Sequence, residues 1–113
     1  MPHCIIEYAN DLTDLITANE MMDAAFKAMQ ASTLFETDHI KIRTHEYAYF
    51  QRADERKNFI HVTVKMLSGR TLEQKQQLAS LVSKAIDELP VFGITVTVDI
   101  VDMDKECYVS LKN

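Results

Sequence analysis

The chain has 113 residues, the size of one domain spanning residues 1–113, and can bury roughly two-thirds of the surface its unfolded form exposes. A hydrophobic fraction of 47% and a charged fraction of 26% are those of an ordinary globular protein, and no run approaches the ~20 apolar residues of a membrane span. The net charge of −5 argues against nucleic acid, whose phosphates require a basic face, yet an acidic body can still hold a local cationic pocket for a small anion.

The N-terminus reads Met1-Pro2. A methionine before proline is normally removed, which would leave Pro2 with a free secondary amine, a titratable base at the head of the apolar segment His3-Cys4-Ile5-Ile6-Glu7-Tyr8. If Met1 stays, the Pro2 nitrogen is a tertiary amide and cannot act as a base. No basic-then-apolar leader precedes this segment, and Cys4 and Cys107 lack metal-ligand spacing. The expectation is therefore a cytoplasmic location with reduced thiols.

Residues 3–8 read as a short strand. Asn10-Asp11-Leu12-Thr13 supplies helix-capping residue types, and Leu12, Leu15, Ile16, Met22, Phe26 and Met29 recur at helical spacing. Met21, Met22 and Met29 read as helix core. Residues 40–50 alternate, with Ile40, Ile42, Thr44 and Ala48 on one side and Lys41, Arg43, His45, Tyr47 and Tyr49 on the other, so they predict a strand. The two tyrosines read as packing residues, or as the lining of a neighbouring subunit's pocket. A polar loop over 51–58 leads to a strand over 59–66, with Ile60, Val62, Val64 and Met66 on one face. Ser68-Gly69-Arg70 breaks the pattern. Thr71-Leu72-Glu73-Gln74 is a capping-box signature, and Leu78, Leu81, Val82, Ala85, Ile86 and Leu89 form a second helical stripe that Pro90 stops. After Gly93, residues 94–100 predict the last strand, and the tail at 107–111 suggests another short one.

The order is strand–helix–strand, twice. Each unit should be a right-handed crossover with parallel strands. The predicted fold is α+β: two βαβ units forming a four-stranded mixed sheet with two helices on one face. The uncovered face carries Lys, Arg, His and Tyr and is either half wet or an oligomer interface. His3, His39, His45 and His61 show no close-pair ligand spacing, so no metal site is expected. His61 reads as a packed or hydrogen-bonded strand residue and Cys4 as a buried thiol.

Five segments carry a resemblance: Met1-Pro2-His3; Ile5-Ile6-Glu7; Ile40-Lys41-Ile42-Arg43-Thr44-His45, against a family pattern Ile-Arg-x-Arg-x-His; Phe59-Ile60-His61-Val62-Thr63-Val64-Lys65; and Gly69-Arg70-Thr71-Leu72-Glu73. On these the chain resembles the 5-carboxymethyl-2-hydroxymuconate isomerases of the tautomerase superfamily. The resemblance implies a homotrimer that needs no cofactor, with Pro2 as the catalytic proton carrier. It implies an unsaturated 2-hydroxy or 2-oxo dicarboxylate as substrate, in the breakdown of homoprotocatechuate. Arg70, Arg43 and Lys41 are the matching candidates for holding substrate carboxylates and stabilising a dienolate. Lys41 replaces the first arginine of the pattern, keeping the charge but losing the planar two-pronged grip. Two other readings of the same element order are a non-catalytic ligand-binding or regulatory βαββαβ module and a different tautomerase-superfamily activity.

Overall fold

A computed structural model describes residues 1–56 and 58–113; Lys57, inside the predicted polar loop, lies outside the described residues. Four strands, β1 (His3–Ala9), β2 (Lys41–Tyr47), β3 (Asn58–Leu67) and β4 (Ile94–Met103), and two helices, α1 (Ala18–Ala31) and α2 (Leu72–Asp87), follow the predicted order. The sheet runs β2-β1-β3-β4. β1 pairs parallel with β2, β3 pairs parallel with β4, and β1 and β3 meet antiparallel at the centre. The two βαβ units therefore join through their first strands.

Period-two sequence produces this sheet directly. Cys4, Ile6 and Tyr8 of β1 and Ile60, Val62, Val64 and Met66 of β3 point to one face and are buried there. Met21, Ala25 and Met29 of α1 and Leu78, Val82 and Ile86 of α2 meet them. Met22 packs at the margin of the same core. Each fully buried Ile, Leu or Met side chain contributes about 1.5–3 kcal/mol. Among the described residues no polar or charged side chain is buried, so the core itself holds no chemistry. Among the described residues no helix is long and apolar enough to cross a membrane.

Two expectations are corrected. The first helix does not start at the Asn10 group. Asn10–Asp14 is a 3-10 turn that buries Leu12, and α1 begins after Thr17. There the Thr17 hydroxyl accepts from the Glu20 amide at 3.1 Å and the Glu20 carboxylate accepts from the Thr17 amide at 3.2 Å. That reciprocal box satisfies the Thr17 and Glu20 amides, whereas no side chain caps the turn at Asn10. The tail does not form a strand: Lys105–Cys107 is a 3-10 turn capped by Asp104, and an irregular segment follows. The second predicted cap is present. Thr71 Oγ1 accepts from the Gln74 amide at 3.1 Å, and Gln74 Oε1 from the Thr71 amide at 2.9 Å.

Candidate functional site at the N-terminal end of the sheet

Because β1 runs parallel to β2 and antiparallel to β3, the starts of β1 and β2 share one sheet edge with the ends of β3 and β4. Pro2 stands at this end, immediately before β1, where a residue without an N–H does not interrupt the ladder. It is buried, and its carbonyl accepts from the Lys41 amide at 3.1 Å, setting the N-terminus beside β2.

Ahead of it, the Met1 amine donates to the His39 carbonyl at 3.2 Å. The Lys41 ammonium donates to the same oxygen at 3.3 Å. The Met1 thioether accepts from the Leu67 amide at 3.2 Å. Burial, then Lys41 and Lys112, lower the Met1 amine from 8.0 to about 6. Desolvation and neighbouring cations both disfavour the charged form. Both effects favour the free base of the Met1 amine.

The backbone leaves β3 through Gly69 at φ +125, a conformation open to glycine; a Cβ there would also stand 2.9 Å from Lys105 Nζ. Arg70 follows. Its guanidinium turns to the α1–β2 connection, donating to the Leu34 carbonyl at 2.6 Å and lying 5.7 Å from the Phe35 ring centre.

Arg43 lies on the uncovered sheet face, in register with Ile5. Its Nη1 approaches His3 Nδ1 at 3.2 Å, and His3 Nε2 lies 2.9 Å from the Tyr108 hydroxyl. Burial first, then Arg43, the N-terminal amine, Lys41 and Lys65, push the His3 imidazole below its ordinary value. The predicted residues are therefore distributed unevenly. Pro2 and Lys41 adjoin one another, Arg43 sits two residues further along β2, and Arg70 is engaged with Leu34 and Phe35.

His3 and Tyr108 were not among the predicted site residues. His3 shares its strand face with Ile5 and Glu7, so alternation alone puts it beside the Lys41–Arg43 face. Tyr108 carried no such signal, because its segment reads as a strand and is not one.

Further along the uncovered face, the Tyr47 hydroxyl donates to the Glu7 carboxylate and its ring packs at a tilt against that of His45, 4.5 Å between centres. Tyr49, by contrast, is almost fully exposed and packs against nothing, contrary to expectation. His61 hydrogen-bonds Thr97 at 2.6 Å, as a strand histidine should. Cys4 is buried, and burial pushes its thiol up to about 12. Glu36, Asp38 and His39 gather on an exposed turn. A groove of about 590 Å³ runs between α1 and α2 on the far side of the molecule, over Ala24, Ala28, Leu81 and Ala85, and does not include Pro2.

A model of the 5-carboxymethyl-2-hydroxymuconate isomerase family matches residues 2–98. A 5-carboxymethyl-2-hydroxymuconate Delta-isomerase of Escherichia coli is 26% identical over 88 residues, 76% of this chain and 70% of the relative. A crystal structure of a 5-carboxymethyl-2-hydroxymuconate delta-isomerase superposes with a TM-score of 0.82 at 18% identity, covering 100% of this chain and 89% of the other. A fused 4-OT described as a wild-type symmetric trimer superposes with a TM-score of 0.73 at 21% identity, covering 91% of this chain and 86% of the other. Both superpositions have the same fold as this chain.

Proposed function

The chain belongs to the 5-carboxymethyl-2-hydroxymuconate isomerase family, and from that premise we propose that it is a cofactor-free isomerase whose acid–base group is the amine of Pro2 once Met1 is removed. The activity is of the isomerase, tautomerase type. The proposed substrate is an unsaturated 2-hydroxy or 2-oxo dicarboxylate or tricarboxylate such as 5-carboxymethyl-2-hydroxymuconate, formed in homoprotocatechuate breakdown.

The observation that carries the reading is the amine environment at this sheet end, where burial and Lys41 lower the Met1 amine to about 6. A Pro2 amine one residue further in would meet the same Lys41. Burial and a neighbouring cation would favour the free base of such an amine, and after taking one proton it would become a competent acid. It removes a proton at one end of the conjugated system. From a 2-hydroxy substrate that proton is the hydroxyl's; the electron pair left on the oxygen spreads through the double bonds as a dienolate, and the ammonium then delivers the proton to a carbon of that system. One proton leaves and one returns, no electron is gained or lost overall, and the chemistry calls for no redox or carrier group.

Lys41, Arg43 and Arg70 are proposed to bind the carboxylates and the developing oxyanion. Fixed cations at a partly dry site stabilise charge that grows in the transition state. Lys41 acts as a point charge in place of a planar fork, which bears on carboxylate geometry more than on proton transfer. The working unit is proposed to be a homotrimer of this single domain. In support, β2 and β4 are open sheet edges and the face carrying Arg43 is uncovered. Light scattering at micromolar concentration tests the trimer, and a monomeric mass refutes it.

The decisive experiment uses untagged protein. Its intact mass should be lower by one methionine, and that material should ketonise 5-carboxymethyl-2-hydroxymuconate well above the buffer rate. A verified free Pro2 amine with no rate above buffer would overturn the reading.

A further inference from the structure

The hydrogen bonds on the two nitrogens of His3 have consequences for Arg43. A guanidinium has only donors, so His3 Nδ1, 3.2 Å from Arg43 Nη1, must present a lone pair. The ring proton then lies on Nε2 and is donated to the Tyr108 hydroxyl oxygen at 2.9 Å. The two rings meet edge to face, 5.9 Å between centres. One neutral tautomer satisfies both contacts; the other tautomer and the imidazolium satisfy only one.

We propose that His3 is a positioning residue for Arg43, and that Tyr108, by holding the His3 ring with Nδ1 toward Arg43, lets the C-terminal segment control how Arg43 grips a substrate carboxylate. This rests on the carboxylate-binding role proposed above for Arg43. Arg43 is exposed and would otherwise sample many rotamers. With one donor held by His3, its four other N–H groups remain for an anion, and less freedom is lost when that anion binds. The segment is built to deliver Tyr108: Asp104 caps the preceding turn by accepting from the Glu106 amide at 2.9 Å, and the Cys107 amide donates to the Asp104 carbonyl at 3.0 Å. These two bonds bend the chain back from β4 toward β1.

Acid should release the grip. The groups facing His3 are Arg43 and Lys41 from β2, Lys65 from β3, the N-terminal amine and Tyr108 from the tail. Three of the five, Arg43, Lys41 and Lys65, are cations, so protonating the ring adds a like charge and removes the acceptor that holds Arg43.

The test compares His3→Leu, His3→Asn and Tyr108→Phe in Met1-free protein; Tyr108→Phe, which removes the hydroxyl on His3 Nε2, should raise KM in the same direction as His3→Leu, and an unchanged KM overturns the role of Tyr108. Leucine keeps bulk without an acceptor; the Asn side-chain oxygen falls near the Nδ1 position. His3→Leu should raise KM about tenfold with little change in kcat, the loss expected for one charge-assisted hydrogen bond. His3→Asn should restore most of that KM. In wild type KM should rise as pH falls below the ordinary histidine range, and in His3→Asn that rise should be absent. Equal KM in the leucine and asparagine variants, or a fall confined to kcat, overturns the proposal.

A readout without turnover keeps it separate from the enzymatic reading. Nitrogen-15 imidazole shifts should show the Nε2–H tautomer and a His3 pKa that rises in Arg43→Gln, where a like charge has gone. A His3 titration indifferent to Arg43 overturns the pairing whether or not the protein is an isomerase. Protein that turns over no hydroxymuconate but titrates as described overturns the enzymatic reading and leaves the pairing standing.

Discussion

The Met1 amine and the Lys41 ammonium donate to the same carbonyl oxygen, that of His39, at 3.2 Å and 3.3 Å. Two cations on one acceptor repel each other, which is one reason the Met1 amine titrates low; its burial is the larger cause. The repulsion yields a pH prediction for the amine of Pro2. A base works only when unprotonated, so kcat/KM should climb as pH rises through the amine's pKa. Replacing Lys41 by glutamine removes a like charge, favours the ammonium, and raises that pKa. The acid limb of the kcat/KM profile should therefore move to higher pH in Lys41→Gln and stay in place in Lys41→Arg. A limb that does not move in either variant would separate Lys41 from the base.

Blocking methionine removal should abolish the chemistry without touching the fold. An inserted leucine between Met1 and Pro2 prevents processing and leaves the proline nitrogen as an amide. Loss of a general acid–base group costs about 10²–10⁴-fold in rate, and kcat should fall by at least that range. Circular dichroism and the urea midpoint should match the unblocked protein within error. Activity surviving in the blocked form would remove Pro2 from the mechanism.

Most of the fold was legible in the sequence because its strands alternate cleanly. Ile60, Val62, Val64 and Met66 could only sit on one face of a strand, and all four are buried. Thr71 and Gln74 announced the start of α2 by chemistry specific to helix starts. The start of α1 was obscured because two cap-like groups lie seven residues apart in the chain, Asn10 and Thr17, and only the reciprocal bonds to Glu20 decide between them. The tail was misread for a different reason. Its alternation is compatible with a strand, but a strand needs a ladder partner, and β4 is paired only with β3. Tyr108 instead reaches His3, 105 residues away in sequence. No local period encodes such a contact. For the candidate site, Pro2 and Lys41 were visible as residue types, whereas the engagement of Arg70 with Leu34 depends on how the α1–β2 connection folds back.

That connection gives Arg70 a structural role to be separated from substrate binding. Thr33 turns the chain at φ 60, a conformation costly for a β-branched residue. The next residue's carbonyl is the one Arg70 binds, and Phe35 lies under the guanidinium. Arg70→Ala should cost about 1–2 kcal/mol, the sum of a partly exposed charge-assisted hydrogen bond and a weak cation–π contact. Amide exchange over residues 33–40 should accelerate in the same variant. If KM is unchanged while stability falls, Arg70 holds the connection and Lys41 and Arg43 remain as the carboxylate-binding cations; a KM rise beyond the stability effect assigns it to the substrate as well.

The capping box on α2 should be measurable on its own. Thr71→Ala removes the hydroxyl that accepts from the Gln74 amide, and loss of such a cap costs about 1 kcal/mol, within a range of 0.5–2. The urea midpoint should drop while the m-value holds, because the surface exposed on unfolding is unchanged. Thr71→Ser should retain most of the stability, since serine caps as well as threonine. An m-value change would instead mean that α2 has frayed.

The two cysteines should behave oppositely toward an alkylating reagent, and the contrast tests the packing of β1. Thiolate, not thiol, is the nucleophile. Cys4 lies in the core with its thiol pushed up to about 12 by burial, a cause that outweighs the opposing pull of Arg43. Cys107 is exposed on the turn that precedes Tyr108. At pH 8 in native protein, iodoacetamide should therefore label Cys107 alone, and Cys4 should react only in denaturant. The thiolate of Cys4 is disfavoured more in the folded chain than in the unfolded one. Folded protein thus binds the thiol proton more tightly, and stability should decline as pH rises past 9 toward 12, where the unfolded chain releases that proton first. Labelling of Cys4 at pH 8 at a rate matching that of Cys107 would show that the start of β1 opens freely. An ordered amine at Pro2, two residues away, would then be untenable.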